Sequence, residues 1–137
     1  MNYWLVKSEP EVYSWTKFAE DKKAVWDGVR NYAARNNIRE MKKGDLLFFY
    51  HSNEGLAIVG IAKVVREAFQ DPTTIDIAWS AMEIAPVKAL KKPITLSQIK
   101  EDKKLHSMQI VRLSRLSVSA VTPEEFERIL DLSGTKL

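Results

Sequence analysis

The longest apolar runs predict a sheet. Leu46-Leu47-Phe48-Phe49-Tyr50 sets five apolar or aromatic residues in succession. That pattern suits a strand buried on both faces, as inside a small barrel. Leu56 to Val65 is a second long apolar stretch, and the polar His51-Ser52-Asn53-Glu54-Gly55 between the two predicts an antiparallel hairpin. Gly60, inside the second stretch, predicts a bulge or a tight bend. Tyr3-Trp4-Leu5-Val6 is rich in β-formers and reads as a further strand. It runs into Lys7-Ser8-Glu9-Pro10, where Pro10 biases Glu9 towards extended backbone. Glu67 to Thr74, marked by Asp71-Pro72, is expected to be a loop. Ile75 to Ala81 alternates with period two, which predicts a strand with Ile77, Trp79 and Ala81 on one face. Ile84 to Val87 extends it, with Pro86 at an edge or a bulge, and Lys91-Lys92-Pro93 marks a break. Arg115 to Val121 alternates again, Leu116, Val118 and Ala120 facing one way and Ser117 and Ser119 the other.

Helical signals separate these strands. Ser14 is placed to cap a short helix whose Trp15 and Phe18 share a face. A longer helix is expected from about Arg30 or Asn31 to Lys43, with Ala34, Ile38 and Met41 facing the core and Gly44 at the C′ position. Thr95-Leu96-Ser97-Gln98 fits a capping box opening a helix to about Lys100. Leu105 to Val111 fits helix or strand. Thr122-Pro123-Glu124-Glu125 combines a capping Thr, an early Pro and a Glu at the third position, and Phe126, Ile129 and Leu130 then form an apolar face that Gly134 ends. Strands in separate blocks with helices between them predict an α+β fold, its strands closing into a small barrel with helices packed outside. With 137 residues, no repeat, no low-complexity segment and no linker, one domain spanning residues 1–137 is expected.

Composition narrows the chemistry. An apolar fraction of 45% and a charged fraction of 28% are those of an ordinary soluble globular protein. Zero cysteines exclude disulfides, thiol catalysis and thiolate zinc sites. With two histidines, His51 and His106, no metal site is expected, and no cofactor motif is visible. No basic segment followed by an apolar one opens the chain, and no run is long enough to span a bilayer, so a cytoplasmic protein is expected; the sequence leaves the oligomeric state open, with a monomer as the expectation. The net charge is +3, but Arg30, Arg35, Arg39, Lys42 and Lys43 against Glu40 put +4 on residues 30–43, leaving −1 for the rest. Basic charge focused on one helix beside aromatics is a possible nucleic-acid footprint; a solvated helix face is the plainer explanation.

The densest mixture of chemistry is Trp26-Asp27-Gly28-Val29-Arg30-Asn31-Tyr32-Ala33-Ala34-Arg35-Asn36. Asp27-Gly28 predicts a turn. Asn31 and Arg35 are four apart and stack along the helix, so Trp26, Asn31 and Arg35 can converge on one pocket at its mouth. The alternative makes Trp26 a core residue, Asn31 a cap and the arginines a solvated face.

Five blocks stand in one order: Tyr3-Trp4-Leu5 with Lys7-Ser8-Glu9-Pro10, then Trp26 to Asn36, Met41 to Asp45, Tyr50-His51-Ser52, and Arg115-Leu116-Ser117-Val118. This set resembles the EVE domain family over nearly the whole chain. The resemblance implies a PUA-like fold, a small curved β-barrel flanked by helices, related to the PUA, ASCH and RNA-binding YTH domains. It also implies a single-domain prokaryotic member that binds DNA or RNA by holding a modified base, such as a modified cytosine. On that reading Trp26 supplies a π face, Asn31 reads a base edge, and Ser8, Tyr50, His51, Ser52 and Trp79 complete the base site. Lys7, Arg30, Arg35, Arg39 and Arg115 contact phosphates. Tyr50 and Trp79 fit the core as well, and His51 fits a loop cap. Two other classes stay open: an enzyme using Ser8, Glu9 and His51 as nucleophile, acid and base, and a protein-interaction module.

Overall fold

The computed structural model describes residues Met1–Leu137. Six strands, β1 (Tyr3–Ser8), β2 (Ala24–Trp26), β3 (Leu46–His51), β4 (Ala57–Gln70), β5 (Ser80–Thr95) and β6 (Val118–Val121), form one sheet in the order β2-β5-β4-β3-β1-β6. Helices α1 (Trp15–Asp21), α2 (Tyr32–Glu40), α3 (Leu96–Glu101), α4 (Gln109–Arg112) and α5 (Pro123–Ser133) connect and cover it. The predicted β3–β4 hairpin is present, Leu46 opposite Lys63 and His51 opposite Ala57. β1 pairs parallel to β3 and antiparallel to β6. A parallel pair needs a crossover, and the segment from α1 through β2 to α2 supplies it.

The double-sided apolar character of β3 has a direct structural reading. Leu47 and Phe49 belong to one core with Trp4, Val6, Phe18, Ala34, Ile38 and Met82, beneath α1 and α2. Phe48 and Tyr50 belong to a second, with Leu5, Ile58, Ile94, Ile99, Phe126 and Ile129, beneath α3 to α5. Successive side chains leave opposite faces of a strand, so a sheet covered on both sides needs apolar residues without alternation. Trp4 Nε1 donates to the buried Asp45 carboxylate at 3.0 Å, which also accepts from the Lys42 and Asn2 backbone N–H groups. That bond locks β1 to the turn that opens β3.

The caps follow their sequence signals: Ser14 accepts from Lys17 N, Thr95 and Thr122 make full capping boxes, and Gly134 ends α5 at φ +66°. Other expectations change. The six strands form an open sheet whose edges, β2 and β6, do not pair with each other. Ile75 to Trp79 is loop, with β5 beginning at Ser80; its backbone carbonyls are held by Gln70, Arg35 and Arg39 instead of a neighbouring strand, and Ile75 and Ile77 stand in solvent. β4 continues through residues 67–70, and β5 continues through Lys91-Lys92-Pro93, because Pro93 falls in a long arm where pairing with β4 is already interrupted. α2 stops at Glu40 because Met41 turns extended to bury its side chain, so Gly44, at φ +94°, serves the turn into β3 instead of the helix end. No helix is long and apolar enough to cross a membrane.

Gly60 does mark an irregularity: the β3–β4 register shifts between Phe49 and Tyr50 opposite it, and the β4–β5 register shifts between Ile58 and Gly60. Its lack of a side chain has a further cause. A Cβ there would lie 2.5 Å from the Trp15 ring. Gly60→Ala is therefore expected to destabilise the fold by about 1–3 kcal/mol, the usual cost of overpacking, and chemical denaturation measures it. Gly60→Ala with Trp15→Leu should recover part of that loss, since the smaller side chain vacates the space.

Candidate nucleic-acid interface

β1, β2 and the start of β6 bring their ends together at one concavity of about 420 Å³, lined by Lys7, Ser8, Glu9, Val12, Trp26, Asp27, Gly28, Val29, Arg30, Asn31 and Ser117. The antiparallel β1–β6 pairing sets Ser117 beside Lys7, whose N–H donates to the Ser117 carbonyl at 3.0 Å. A second depression of about 370 Å³, lined by Ala33, Leu113, Ser114, Arg115 and Leu116, shares Asn31 with the first. Together they form a groove running from the Trp26 wall past Asn31 to Arg115.

Trp26 is half-buried. Its inner side packs edge-on against Phe49, centroids 5.7 Å apart, and against Tyr13 at 6.3 Å. It is held as the last residue of β2, opposite Met82. Gly28 follows at φ +76°, a conformation natural for glycine, and Val29 tucks into the core. Residues 27–31 form no regular turn, so the turn expected at Asp27-Gly28 is instead an irregular link that carries the chain from the Trp26 wall into α2. Asn31 caps α2: its side-chain oxygen accepts from Ala34 N at 3.0 Å. The cap occupies the oxygen, and the amide nitrogen makes no bond within the chain. Lys7 Nζ donates to the Ser114 carbonyl at 2.7 Å, and burial pushes its ammonium pKa down. Ser8 is nearly buried and donates to the Tyr13 carbonyl.

The lip of the groove is fastened by a residue with no sequence motif. Asp71 is fully buried. Its carboxylate accepts from Gly28 N at 2.8 Å, from Arg30 Nη1 at 2.9 Å, and from both the N–H and the hydroxyl of Thr73. Burial pushes the Asp71 carboxyl up, but the hydrogen bonds from Arg30, Thr73 and Gly28 outweigh it and hold the pKa well below the usual carboxylate range. Arg30 is thereby oriented at the lip, and its Nη2 donates to Thr73 Oγ1.

Of the residues expected from sequence, Lys7, Ser8, Trp26, Arg30 and Asn31 line the first concavity, and Arg115 lines the second. The others lie elsewhere. Tyr50 is core on the opposite face of the sheet. His51 Nε2 accepts from Trp15 N at 3.0 Å, at the entrance to α1, and burial lowers its pKa, which suits a neutral acceptor. Ser52 donates its N–H to the Ser8 carbonyl but does not line the groove. Trp79 stacks on Tyr32 at 4.9 Å, outside the groove. Arg35 and Arg39 do not line the groove but hold the loop before β5: Arg35 donates to the Ala78 carbonyl, and Arg39 to Ser80 Oγ and the Ile77 and Ala78 carbonyls. Ser8 and His51 are each committed to backbone partners, so they form no relay with Glu9. Glu9, Val12, Asp27, Gly28, Val29 and Ser117 also line the first concavity without having been expected in a base or phosphate site. Asp27 stood inside the chemical stretch, whereas Ser117 is reached only through strand pairing.

The whole is an open mixed sheet with helices on both faces and an aromatic-walled polar groove at the end of β1. The chain belongs to the EVE domain family, whose model matches residues 2–132. It is 40% identical to mouse thymocyte nuclear protein 1, over 98% of this chain and 75% of that protein. The crystal structure of a protein from Agrobacterium tumefaciens superposes with a TM-score of 0.96 at 43% identity, covering 98% of this chain and 94% of that one. Human thymocyte nuclear protein 1, in complex with 5-methylcytosine-containing DNA, superposes at 0.90 with 33% identity and full coverage of both chains. At the level of fold alone, a YTH domain from Zygosaccharomyces rouxii in complex with N6-methyladenosine RNA superposes at 0.62 with 14% identity, covering 99% of this chain and 88% of the other.

Asp71→Asn is expected to lower stability at pH 7 by about 1.5–3 kcal/mol, the range for hydrogen bonds to a charged group. The carboxyl pKa is depressed in the folded state, so its contribution is present above the unfolded value of about 3.9 and is lost as pH falls through the folded value. The gap between wild type and Asp71→Asn should therefore narrow progressively below about pH 4, which urea melts across that range measure.

Proposed function

We propose that this chain is a non-catalytic reader of nucleic acid that holds one modified base, such as a modified cytosine, in the Trp26 groove. The observation that carries the reading is Trp26 itself, braced from behind by Phe49 and Tyr13 while lining the concavity. A base lifted out of its stack needs such a π surface. The 5-methylcytosine DNA bound by the human relative supports that class of ligand, and the YTH likeness supports a PUA-like version of the fold. The Asn31 amide nitrogen is a donor for a base acceptor. The carboxylates of Asp27 and Glu9 are acceptors of the kind that suit the exocyclic amino group of cytosine. Arg115 and Arg30 lie at opposite parts of the groove, where guanidinium groups suit flanking phosphates.

Isothermal titration with short oligonucleotides carrying 5-methylcytosine tests the assignment. Trp26→Ala should weaken binding by about 1–3 kcal/mol, the value of an aromatic platform, and Trp26→Phe should retain part of it. A thermal melt of the same samples separates lost stacking from lost folding, because Trp26 also packs on the core. A folded Trp26→Ala that binds like wild type refutes the stacking role. Asn31→Ala should blur discrimination between bases, and the melt should also show loss of the α2 cap, about 0.5–2 kcal/mol.

Salt supplies an independent measurement. Arg115→Gln should reduce the slope of log affinity against log salt by about 0.7 on single strands if it neutralises one phosphate. Arg39→Gln should leave that slope unchanged, because Arg39 is engaged with the loop before β5.

A further inference from the structure

Two isoleucines stand outside the packed protein: Ile75 is 99% exposed and Ile77 84%. Apolar surface held in water is unfavourable in proportion to its area, and loop tips ordinarily carry Gly, Pro, Asn, Asp or Ser. The loop that carries them, between β4 and β5, is heavily tied down. Gln70 Nε2 donates to the carbonyls of Asp71, Thr74 and Asp76. Asp76 accepts from Ala78 N, while Arg35 and Arg39 hold the carbonyls of Ala78 and Ile77 from α2. Trp79 stacks on Tyr32, with the Arg30 guanidinium 5.5 Å from the Trp79 ring and that of Arg35 4.9 Å from the Tyr32 ring. Holding apolar tips so firmly in solvent is the reverse of what packing alone would select.

Asp71 makes this loop continuous with the groove. The carboxylate that anchors the loop's first turn also accepts from Gly28 and Arg30, both lining the groove. Apolar tips therefore ride on the same rigid unit as the base site, beside a basic lip. We infer that Ile75 and Ile77 form a wedge that enters the base stack of duplex DNA when one of its bases occupies the Trp26 groove. Lifting a base out costs stacking and leaves an apolar gap, and proteins that deform duplexes fill such gaps with Ile, Leu, Phe, Met or Pro side chains. The Arg30 guanidinium, half-exposed and bonded to Thr73 at the foot of this loop, suits a phosphate that flanks the gap. This inference rests on the reader assignment.

The test uses the full chain, the double variant Ile75→Ser/Ile77→Ser, and two probes: a DNA duplex with one 5-methylcytosine, and the same strand alone. A second duplex carries 2-aminopurine beside the modified base to report unstacking. The variant should lose about tenfold or more in affinity for the duplex and remain within about twofold of wild type on the single strand, since only a duplex has a stack to enter. The fluorescence rise of 2-aminopurine seen with wild type should shrink in parallel. Unchanged duplex affinity would overturn the wedge, as would an equal loss on both probes or a wild type that binds single strands alone. A wild type that binds neither probe would remove the reader assignment along with the wedge.

Discussion

The ring of Phe49 is the contact on which both the fold and the groove depend. It is fully buried on β3 and stacks on Phe18 at 5.2 Å, meets Trp15 at 5.4 Å and Trp26 at 5.7 Å edge-on, and lies 5.8 Å from His51. Helix α1, the short edge strand β2 and the central strand are thus joined through one side chain. Edge-to-face and offset contacts suit the aromatic quadrupole and fix ring directions more tightly than aliphatic packing does. Trp26 takes its orientation from this cluster. β2 is only three residues long, so its hydrogen bonds alone would not hold a large ring steady. Gly60 belongs to the same arrangement, because its missing side chain is what lets Trp15 close over the strand.

A buried carboxylate completes what the aromatic cluster begins. Phe49 sets the wall of the groove, and Asp71 sets its lip. A buried charge is tolerated only when paired and hydrogen-bonded, and Asp71 meets that condition by drawing together Gly28, Arg30 and Thr73. The groove is thereby preorganised before any ligand arrives, which reduces the ordering cost of binding. Its one half-exposed cation at the lip, Arg30, is oriented by that pair.

The arginines show how one residue type divides between tasks. Arg35 and Arg39 use their planar donor forks to hold backbone carbonyls across 38–43 residues of sequence. Arg115 lies in the second depression. A solvated face and a phosphate-binding face look alike in a list of charges, and the distinction lies in what each guanidinium can reach.

Short-range physics accounts for what the amino-acid order alone determined. The β3–β4 hairpin and the Ser14, Thr95 and Thr122 caps depend on nearby residues, and each is present. The unbroken apolar run of β3 also announced a strand covered on both faces. Of the expected convergence of Trp26, Asn31 and Arg35, the first two meet in the groove, because they flank the end of β2 and the start of α2, whereas Arg35 is drawn to the Ala78 carbonyl. Tertiary structure decided the rest. Ile75 and Ile77 alternate like a strand, yet Asp71, Gln70, Arg35 and Arg39 hold their segment as a loop through bonds that no local pattern encodes. Tyr50 and His51 sit at a strand end, as site residues often do, but strand parity sends Tyr50 to the opposite face and the position of α1 claims His51 as an acceptor. From sequence Asp71 only marks a loop, since its partners Gly28 and Arg30 lie 43 and 41 residues away. Local preference is written residue by residue, whereas the partner of a buried charge exists only once the chain has folded around it.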